Sequence, residues 1–598
     1  MPIPIITPLN HYFKVYYGYT GKKLYILCLI IFWGAISEGF GISMLLPVLN
    51  INKPESALDP YTKTIYRLLE FSGIEVSLLP LLVLLFIAFL FKGAFSFLQT
   101  FLSLHISTNI IKKMRIGLCQ KFKAMNYSYY TNVSIGYLNN IVTTETDRAL
   151  ASLDIFTRVL VSIIFITIYV SAAFIFNWNV TFVVLITCFF MFALFRILSR
   201  TSRKISILLS ETNAHIQSLL IQTIYNFKYL KATDSFTNVF RHLFKKIDEH
   251  RSYRFRNGIL LAVPQSIIEP ASVLFLSGLL LYYVSYKGIP IAEIAVLLLF
   301  FYRTFSRVFR FQIDWQKFNA SIGGIETVRK ATKNLDLNRE FSGSHCINNF
   351  NKEIRLEHVN FSHNSKQTLF NINMVIPRNK TIGIVGESGA GKTTLFDILI
   401  GLLAPESGKV TVDGVAYKYL DFASLRNIIG YIIQEPVIFN DTIANNISFW
   451  ENNLDEKTIK SRIENAAYLA NCVDFINRSE DGYNTVIGDR GIKLSGGQLQ
   501  RIAIAREIFK DPLIMIFDEA TSSLDTESEK FIQNSINSMM GKKTLIIIAH
   551  RLSTIRHCDY IYVLKEGRIV NEGGFDELYE DKNSIFSKMC QAQNVQEK

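Results

Sequence analysis

A glycine-rich segment has the clearest chemistry in the sequence, and it contains in order Gly386, Glu387, Ser388, Gly389, Ala390, Gly391, Lys392, Thr393 and Thr394. The segment follows an apolar stretch at residues 381–385 with the composition of a buried strand, and a helical pattern begins near Thr393. Glycines in such a loop let backbone N–H groups turn toward phosphate oxygens at a helix N-terminus. Lys392 can then reach the terminal phosphates, and the Thr393 hydroxyl can bind Mg²⁺. These residues predict a site for ATP or GTP.

Two adjacent carboxylates follow another apolar stretch, residues 513–517. A strand that ends in Asp518 and Glu519 can hold both acids close to bound phosphates. Asp518 is suited to organise Mg²⁺ and its water, and Glu519 is suited to polarise the attacking water as a general base. Helix capping is the structural alternative, and the phosphate loop upstream favours the catalytic interpretation.

Long apolar runs occupy the first half of the chain, and each approaches the roughly 20 residues that cross a bilayer. They predict six membrane spans, at about residues 24–49, 78–104, 155–176, 180–198, 258–286 and 289–308. The polar stretches 106–154 and 199–257 have helical periodicity and predict long helical arms on the side of both termini. In the sizeable outer loop, residues 61–71 predict a short amphipathic external helix, and residues 1–21 predict an interfacial helix.

The net charge of +13 is explained by the positions of the lysines and arginines, many of which flank the predicted spans. This pattern is typical of loops retained in the cytoplasm, so we place both termini and the second half of the chain there. We expect no nucleic-acid partner, because no aromatic-plus-basic RNA module accompanies the charge. The seven cysteines show no paired spacing, so neither a disulfide framework nor a zinc site is predicted. The N-terminus lacks a signal-peptide pattern.

Three charged residues, Glu38, Lys92 and Glu269, lie inside predicted spans. A charge at the centre of a membrane helix costs roughly 3 kcal/mol on insertion scales, so each should face a partner or a wet cavity. They could contact a substrate or lipid headgroup, or they could pair with one another or reach an interface. The sequence leaves both alternatives open.

The second half of the chain has a different pattern, in which short β-rich stretches alternate with helical ones. The predicted architecture is an α-helical six-span transmembrane domain at residues 1–320, a linker at 321–350 and an α/β nucleotide-binding domain at 351–598.

The segment Leu494-Ser495-Gly496-Gly497-Gln498 precedes Asp518 and is followed by a helical pattern. It resembles the signature motif of ATP-binding cassette (ABC) proteins. With the membrane spans first and the cassette second, nearly the whole chain resembles homodimeric type I ABC exporters of the lipid and multidrug type.

Further site residues are implied by this resemblance rather than by spacing. Gln434 lies where the family has the loop glutamine that touches Mg²⁺ and water, Asp525 lies in the loop that crosses to the partner subunit, and His550 corresponds to the switch histidine that contacts the terminal phosphate. Residues 486–491 resemble the exporter-specific loop, with Asp489 where glutamate is usual. At the adenine-stacking position, where a tyrosine is expected, either His363 or Phe361 could stack on the base.

The resemblance also implies a head-to-tail dimer in which ATP lies between Lys392 of one chain and Ser495 of the other. We expect a homodimer, with a heterodimer as the alternative. The implied function is ATP-driven export or flipping of an amphiphilic, lipid-linked substrate across the cytoplasmic (inner) membrane. Glu38 to Ile42 with Pro47 resemble the first helix of lipid-linked oligosaccharide flippases. Phospholipid or lipid A flipping, multidrug or peptide efflux, and an ATP-gated channel or channel regulator remain alternatives.

Overall fold

The structure is a computed structural model that describes residues 6–54, 58–176, 178–287, 291–363, 366–488, 491, 493–518, 526–549 and 555–592. The chain divides into two compact units. The first comprises Met1–Met125 and Asn132–Arg339, and the second comprises Asn126–Thr131 and Glu340–Lys598. A short piece of chain within the first half therefore belongs to the second unit.

The first unit is helical. Its helices are α1 (Ile6–Thr20), α2 (Lys23–Ser43), α3 (Leu45–Leu49), α4 (Pro60–Phe71), α5 (Leu78–Lys123), α7 (Ile135–Asn140), α8 (Thr146–Phe176), α9 (Trp178–Tyr225), α10 (Phe227–Ala232), α11 (Phe236–Leu281) and α12 (Ile291–Leu337), while α6 (Tyr127–Asn132) lies almost wholly in the second unit. Single π-helical turns at Ile141–Glu145 and Tyr282–Tyr286 precede α8 and follow α11.

Four helices are much longer than a bilayer requires. Helices α5, α9, α11 and α12 contain 46, 48, 46 and 47 residues. At about 1.5 Å per residue each is about 70 Å long, against a hydrocarbon core of about 30 Å. Among the described residues, three helical segments are long and apolar enough to cross a membrane, at Lys23–Leu49, Leu78–Lys123 and Ile135–Ile175. The four helices are therefore long enough to extend well beyond a bilayer, as the polar periodic stretches predict.

Helix α1 packs across the ends of α8 and α12. The Tyr12 hydroxyl donates to Glu326 of α12 at 2.6 Å, and Tyr16, which is buried, shares a hydrogen bond of 2.7 Å with Ser152 of α8. The predicted helix over 61–71 forms as α4, which begins after Asp59. The Asp59 side chain accepts from the Thr62 N–H, and Pro60 occupies the first helical position, where no N–H is needed.

The second unit contains two sheets. Its strands are β1 (Glu353–His363), β2 (Lys366–Pro377), β3 (Thr381–Gly386), β4 (Ser407–Val412), β5 (Val415–Ala416), β6 (Ile429–Ile432), β7 (Ile514–Asp518), β8 (Thr544–Ile548), β9 (Tyr560–Lys565) and β10 (Arg568–Gly573). An antiparallel sheet has the order β2-β1-β4-β5, and a six-stranded sheet has the order β10-β9-β3-β8-β7-β6. In the larger sheet only β10 runs antiparallel to its neighbour. The predicted α/β architecture is confirmed.

The central strands of the larger sheet are buried along their whole length, as is typical of strands with helices on both faces. The second unit also contains α-helices. They are α13 (Lys392–Leu399), α14 (Phe422–Asn427), α15 (Ile443–Ser448), α16 (Glu456–Leu469), α17 (Val473–Asn477), α18 (Gly496–Lys510), α19 (Thr526–Met539), α20 (Phe575–Glu580) and α21 (Ile585–Ala592). Residues 321–350, which the sequence suggests as a linker, begin within α12. From Glu340 the chain belongs to the second unit, where the Gly343 N–H donates to the Leu420 carbonyl at 2.7 Å.

Candidate functional site

The phosphate loop connects β3, which ends at Gly386, to α13, which begins at Lys392. Gly389 and Gly391 have φ angles of +83° and +101°, a region that residues with a side chain rarely adopt. The Lys392 ammonium donates to the carbonyl oxygens of Gly386 at 2.7 Å and Glu387 at 3.0 Å. The loop is thus curled around its own lysine, with the start of α13 behind it, in the arrangement that binds phosphate.

The carboxyl ends of the parallel strands bring Asp518 to the same sheet edge as the phosphate loop. Asp518 ends β7, and a single strand, β8, separates β7 from β3. The Asp518 carboxylate accepts a hydrogen bond from the Tyr431 hydroxyl at 3.3 Å. Glu519, Asp525 and His550 lie outside the described residues, as does Asp489 of the exporter-like loop. Their predicted roles remain predictions from the sequence.

The signature segment forms an exposed helix N-terminus. Ser495 is the N-cap of α18: its hydroxyl accepts from the Gln498 N–H at 3.3 Å, and the Gln498 side chain accepts from the Ser495 N–H at 2.9 Å. This reciprocal capping box fixes the first turn. Ser495 and Gly496 are exposed, so the end of the helix can accept an anion from outside the chain.

Gln434 lies in the loop after β6, and that loop is tied to the signature helix. The Gln500 side chain donates to the Ile433 carbonyl at 3.2 Å, and Arg506 donates to the Val437 carbonyl at 2.7 Å. Gln434 itself is exposed. These bonds join the loop that contains Gln434 to the signature helix, and no local pattern indicates them.

The two candidate adenine-stacking rings have different surroundings. Phe361 is 8% exposed and belongs to the core of the second unit, whereas His363, two residues farther along β1, is exposed. Their ring centroids are 4.9 Å apart, with the rings nearly perpendicular. Of the two, His363 presents a ring face that a base can reach.

The intramembrane carboxylate Glu38 is buried and surrounded by cations. Its oxygens lie 3.5 Å from Lys92 Nζ, 3.3 Å from an Arg303 nitrogen and 4.0 Å from an Arg307 nitrogen. Pairing between Glu38 and Lys92 is one of the two alternatives that the sequence leaves open. The two arginines were missed, although they lie four residues apart in the sixth predicted span. The side chain of Glu269 lies outside the described residues.

A helical membrane unit joined to a domain with a phosphate loop and a capped signature helix defines an ATP-driven membrane transporter. Two family models match the chain: ABC transporter transmembrane region at residues 25–313 and ABC transporter at residues 369–522. The chain belongs to the ABC transporter family. It is an exporter half-transporter that hydrolyses ATP to drive transport, so the predicted class and activity are confirmed.

Several relatives match over most of the chain. An ATP-dependent lipid A-core flippase of Pectobacterium atrosepticum is 31% identical over 82% of this chain and 84% of its own. The exotoxin translocation ATP-binding protein PaxB of Pasteurella aerogenes is 30% identical over 86% of this chain and 72% of its own. Among solved structures, an ATP-bound bacterial Atm1-family ABC exporter superimposes with a TM-score of 0.78 at 20% identity, covering 96% of this chain and 100% of that one. The predicted type I exporter fold is confirmed.

Proposed function

We propose that the chain forms a dimer that uses Mg²⁺ and ATP to flip or export an anionic, lipid-linked amphiphile across the cytoplasmic membrane. The observation that carries the choice of substrate is the cationic cluster, which we define as Lys92, Arg303 and Arg307 around Glu38. Three cations share one carboxylate. The names of several relatives, which are lipid A-core flippases, support a lipid substrate.

The cationic cluster has an excess of positive charge that is open to a ligand. The Glu38 side chain is 1% exposed, whereas those of Lys92, Arg303 and Arg307 are 34%, 43% and 23% exposed. An ion in a membrane helix is costly and is commonly retained for function. A phosphate group offers several acceptor oxygens to arginine, so a phosphate-bearing headgroup suits these cations better than a neutral drug does.

The residues at the sheet edge fit Mg²⁺. Among the described residues there is no cluster of three or more histidine, cysteine or acidic side chains that could hold a metal alone. Mg²⁺ is usually bound by one or two carboxylates together with waters and substrate phosphates. Asp518, the Thr393 hydroxyl and Gln434 would supply the protein's share, and the metal would neutralise charge on the transferred phosphate.

Exposed apolar surfaces on both units support assembly with a second copy. At the junctions of α9, α10 and α11, Ile224, Phe227 and Tyr229 are exposed, and in the second unit Phe439, Phe449 and Trp450 form an exposed cluster of rings 5.2–5.5 Å apart. Contiguous exposed aromatic surface is typical of protein interfaces. A homodimer is the simplest assembly, because Lys392 and Ser495 are both present in one chain.

Mixed dimers test the composite ATP site. Lys392→Ala damages the phosphate loop and Ser495→Ala the signature, so either homodimer has two damaged sites. A dimer with one chain of each kind concentrates both changes in one site and leaves the other intact. We expect it to hydrolyse ATP faster than either parent. Hydrolysis no faster than in the parents would contradict the composite site.

Transport by purified protein in proteoliposomes tests the substrate. We expect a fluorescent lipid-linked oligosaccharide with a phosphate-bearing headgroup to be flipped and to stimulate ATP hydrolysis. Arg303→Gln should weaken both effects, while Arg303→Lys keeps the charge and should retain most of them. If the wild type flips neutral lipid equally well, or responds to peptide and not to lipid, the anionic lipid is the wrong substrate. ATP-gated ionic current without substrate-dependent turnover would indicate a channel.

A further inference from the structure

Tyr431 lies at a junction of three parts of the second unit. It stands on the edge strand β6, opposite Ile516 of β7, and three residues before Gln434. Its backbone N–H donates to the half-buried Glu507 of the signature helix at 3.3 Å. Its hydroxyl donates to Asp518 at 3.3 Å. One residue therefore connects the signature helix with the carboxylate that we assign to Mg²⁺.

The third part of the junction is Tyr127, in the piece of chain from the first half that belongs to the second unit. Tyr127 and Tyr431 both pack at the margin of the same core. Tyr127 is near enough to Asp397 of α13 for that carboxylate to raise the Tyr127 pKa further, after burial has raised it. Asp397, Asp518 and the two tyrosines thus lie close together.

The Tyr431 hydroxyl is a hydrogen-bond donor to Asp518. A tyrosine hydroxyl carries its proton at neutral pH, whereas the carboxylate can only accept. Asp397 of α13 lies close enough to Asp518 for the two carboxylates to repel one another. A hydroxyl aimed at Asp518 offsets part of their repulsion and limits the directions in which the carboxylate can turn.

We propose that Tyr431 is a positioning residue that orients Asp518 for the metal, and that Tyr127 holds Tyr431 in place. A change in the position of residues 126–131 then changes the affinity for the metal, while the phosphate loop keeps its shape. The inference rests on the proposed assignment of Asp518 to Mg²⁺. Metal binding at that site then also depends on Tyr127 and Tyr431, which belong to no nucleotide-binding motif.

Metal binding without turnover tests this inference on the full-length protein. Mn²⁺ replaces Mg²⁺ as a paramagnetic probe, and its Kd is measured by electron paramagnetic resonance with a non-hydrolysable ATP analogue bound. Tyr431→Phe removes only the hydroxyl and should raise the Mn²⁺ Kd about tenfold, the effect of one hydrogen bond to a charged group. Affinity for the analogue in excess EDTA should not change.

The matched control is Tyr562→Phe, in the same unit. The Tyr562 hydroxyl bonds to the backbone of Val375 and not to Asp518, so the Mn²⁺ Kd should stay within twofold of the wild type. Tyr127→Ala should raise the Mn²⁺ Kd. Tyr127→Phe, which keeps the ring, should have the Mn²⁺ Kd of the wild type.

Two outcomes would overturn the inference. In the first, Tyr431→Phe binds Mn²⁺ as the wild type does. In the second, it loses analogue affinity equally with and without metal, which would show that the hydroxyl acts on the fold. If Asp518→Asn leaves Mn²⁺ affinity unchanged, the assignment of Asp518 to the metal fails instead, and the separate result distinguishes the two failures.

Discussion

A Cβ atom on Gly324 of α12 would lie 2.6 Å from the Cβ of Arg148 on α8, and 2.9 Å from the backbone nitrogen of Ala149. The two helices therefore cross with no room for a side chain at this point. The neighbouring Gly323 is different, because a Cβ there would have its nearest contact at 3.8 Å, with the end of the Arg148 side chain. The close approach requires glycine at one position of the pair and not at the other.

Alanine at these two positions should have opposite effects on stability. Gly324→Ala forces the helices apart against packed backbone, so we expect it to destabilise the first unit by about 1–3 kcal/mol. Gly323→Ala fills open space in a helix and should be neutral or stabilising by up to about 1 kcal/mol. Thermal unfolding of the detergent-solubilised protein measures both. Equal midpoints for the two variants would show that the crossing relaxes freely.

The phosphate loop and the signature could be predicted because their chemistry needs consecutive residues. The turns of Gly389 and Gly391 and the capping box from Ser495 to Gln498 are local, and so they are visible as motifs. The cationic cluster could be predicted only in part, because Glu38 and Arg303 meet through the packing of helices that are far apart in sequence. Tyr431 was missed for the same reason, since its partners Asp518 and Glu507 come from other elements.

Glu519→Gln should separate ATP binding from hydrolysis. Glu519 follows β7 directly, and the amide keeps its size while it removes the proposed general base. We expect a loss of roughly 100-fold or more in hydrolysis, with ATP affinity unchanged. Nucleotide binding and phosphate release are measured on the same preparation. Near-normal turnover would exclude Glu519 as the base.

His363→Ala should weaken ATP binding without unfolding the cassette, because the exposed ring is the one that we assign to the adenine. The loss of a stacking contact of about 1 kcal/mol corresponds to roughly a fivefold rise in the Kd for ATP. His363→Tyr, which keeps an aromatic ring, should bind ATP with about the affinity of the wild type.

Phe361→Ala provides the contrast, since it empties a buried site and should cost about 3–5 kcal/mol of stability. If that variant stays folded and loses ATP affinity while His363→Ala binds normally, the stacking ring is Phe361.

The helix α4 should contribute to transport through its exposed face, because its two leucines have different environments. Leu69 is 5% exposed and packs with Met44 and Leu81, whereas Leu68 is 56% exposed. Leu68→Asp therefore changes the surface on which a lipid tail can lie, while Leu69→Asp buries a charge.

We expect Leu68→Asp to reduce flipping of the fluorescent lipid-linked oligosaccharide severalfold and to leave basal ATP hydrolysis and thermal stability unchanged. Leu69→Asp should lower stability as well as transport. If Leu68→Asp flips that substrate at the wild-type rate, the exposed face of α4 has no part in lipid handling.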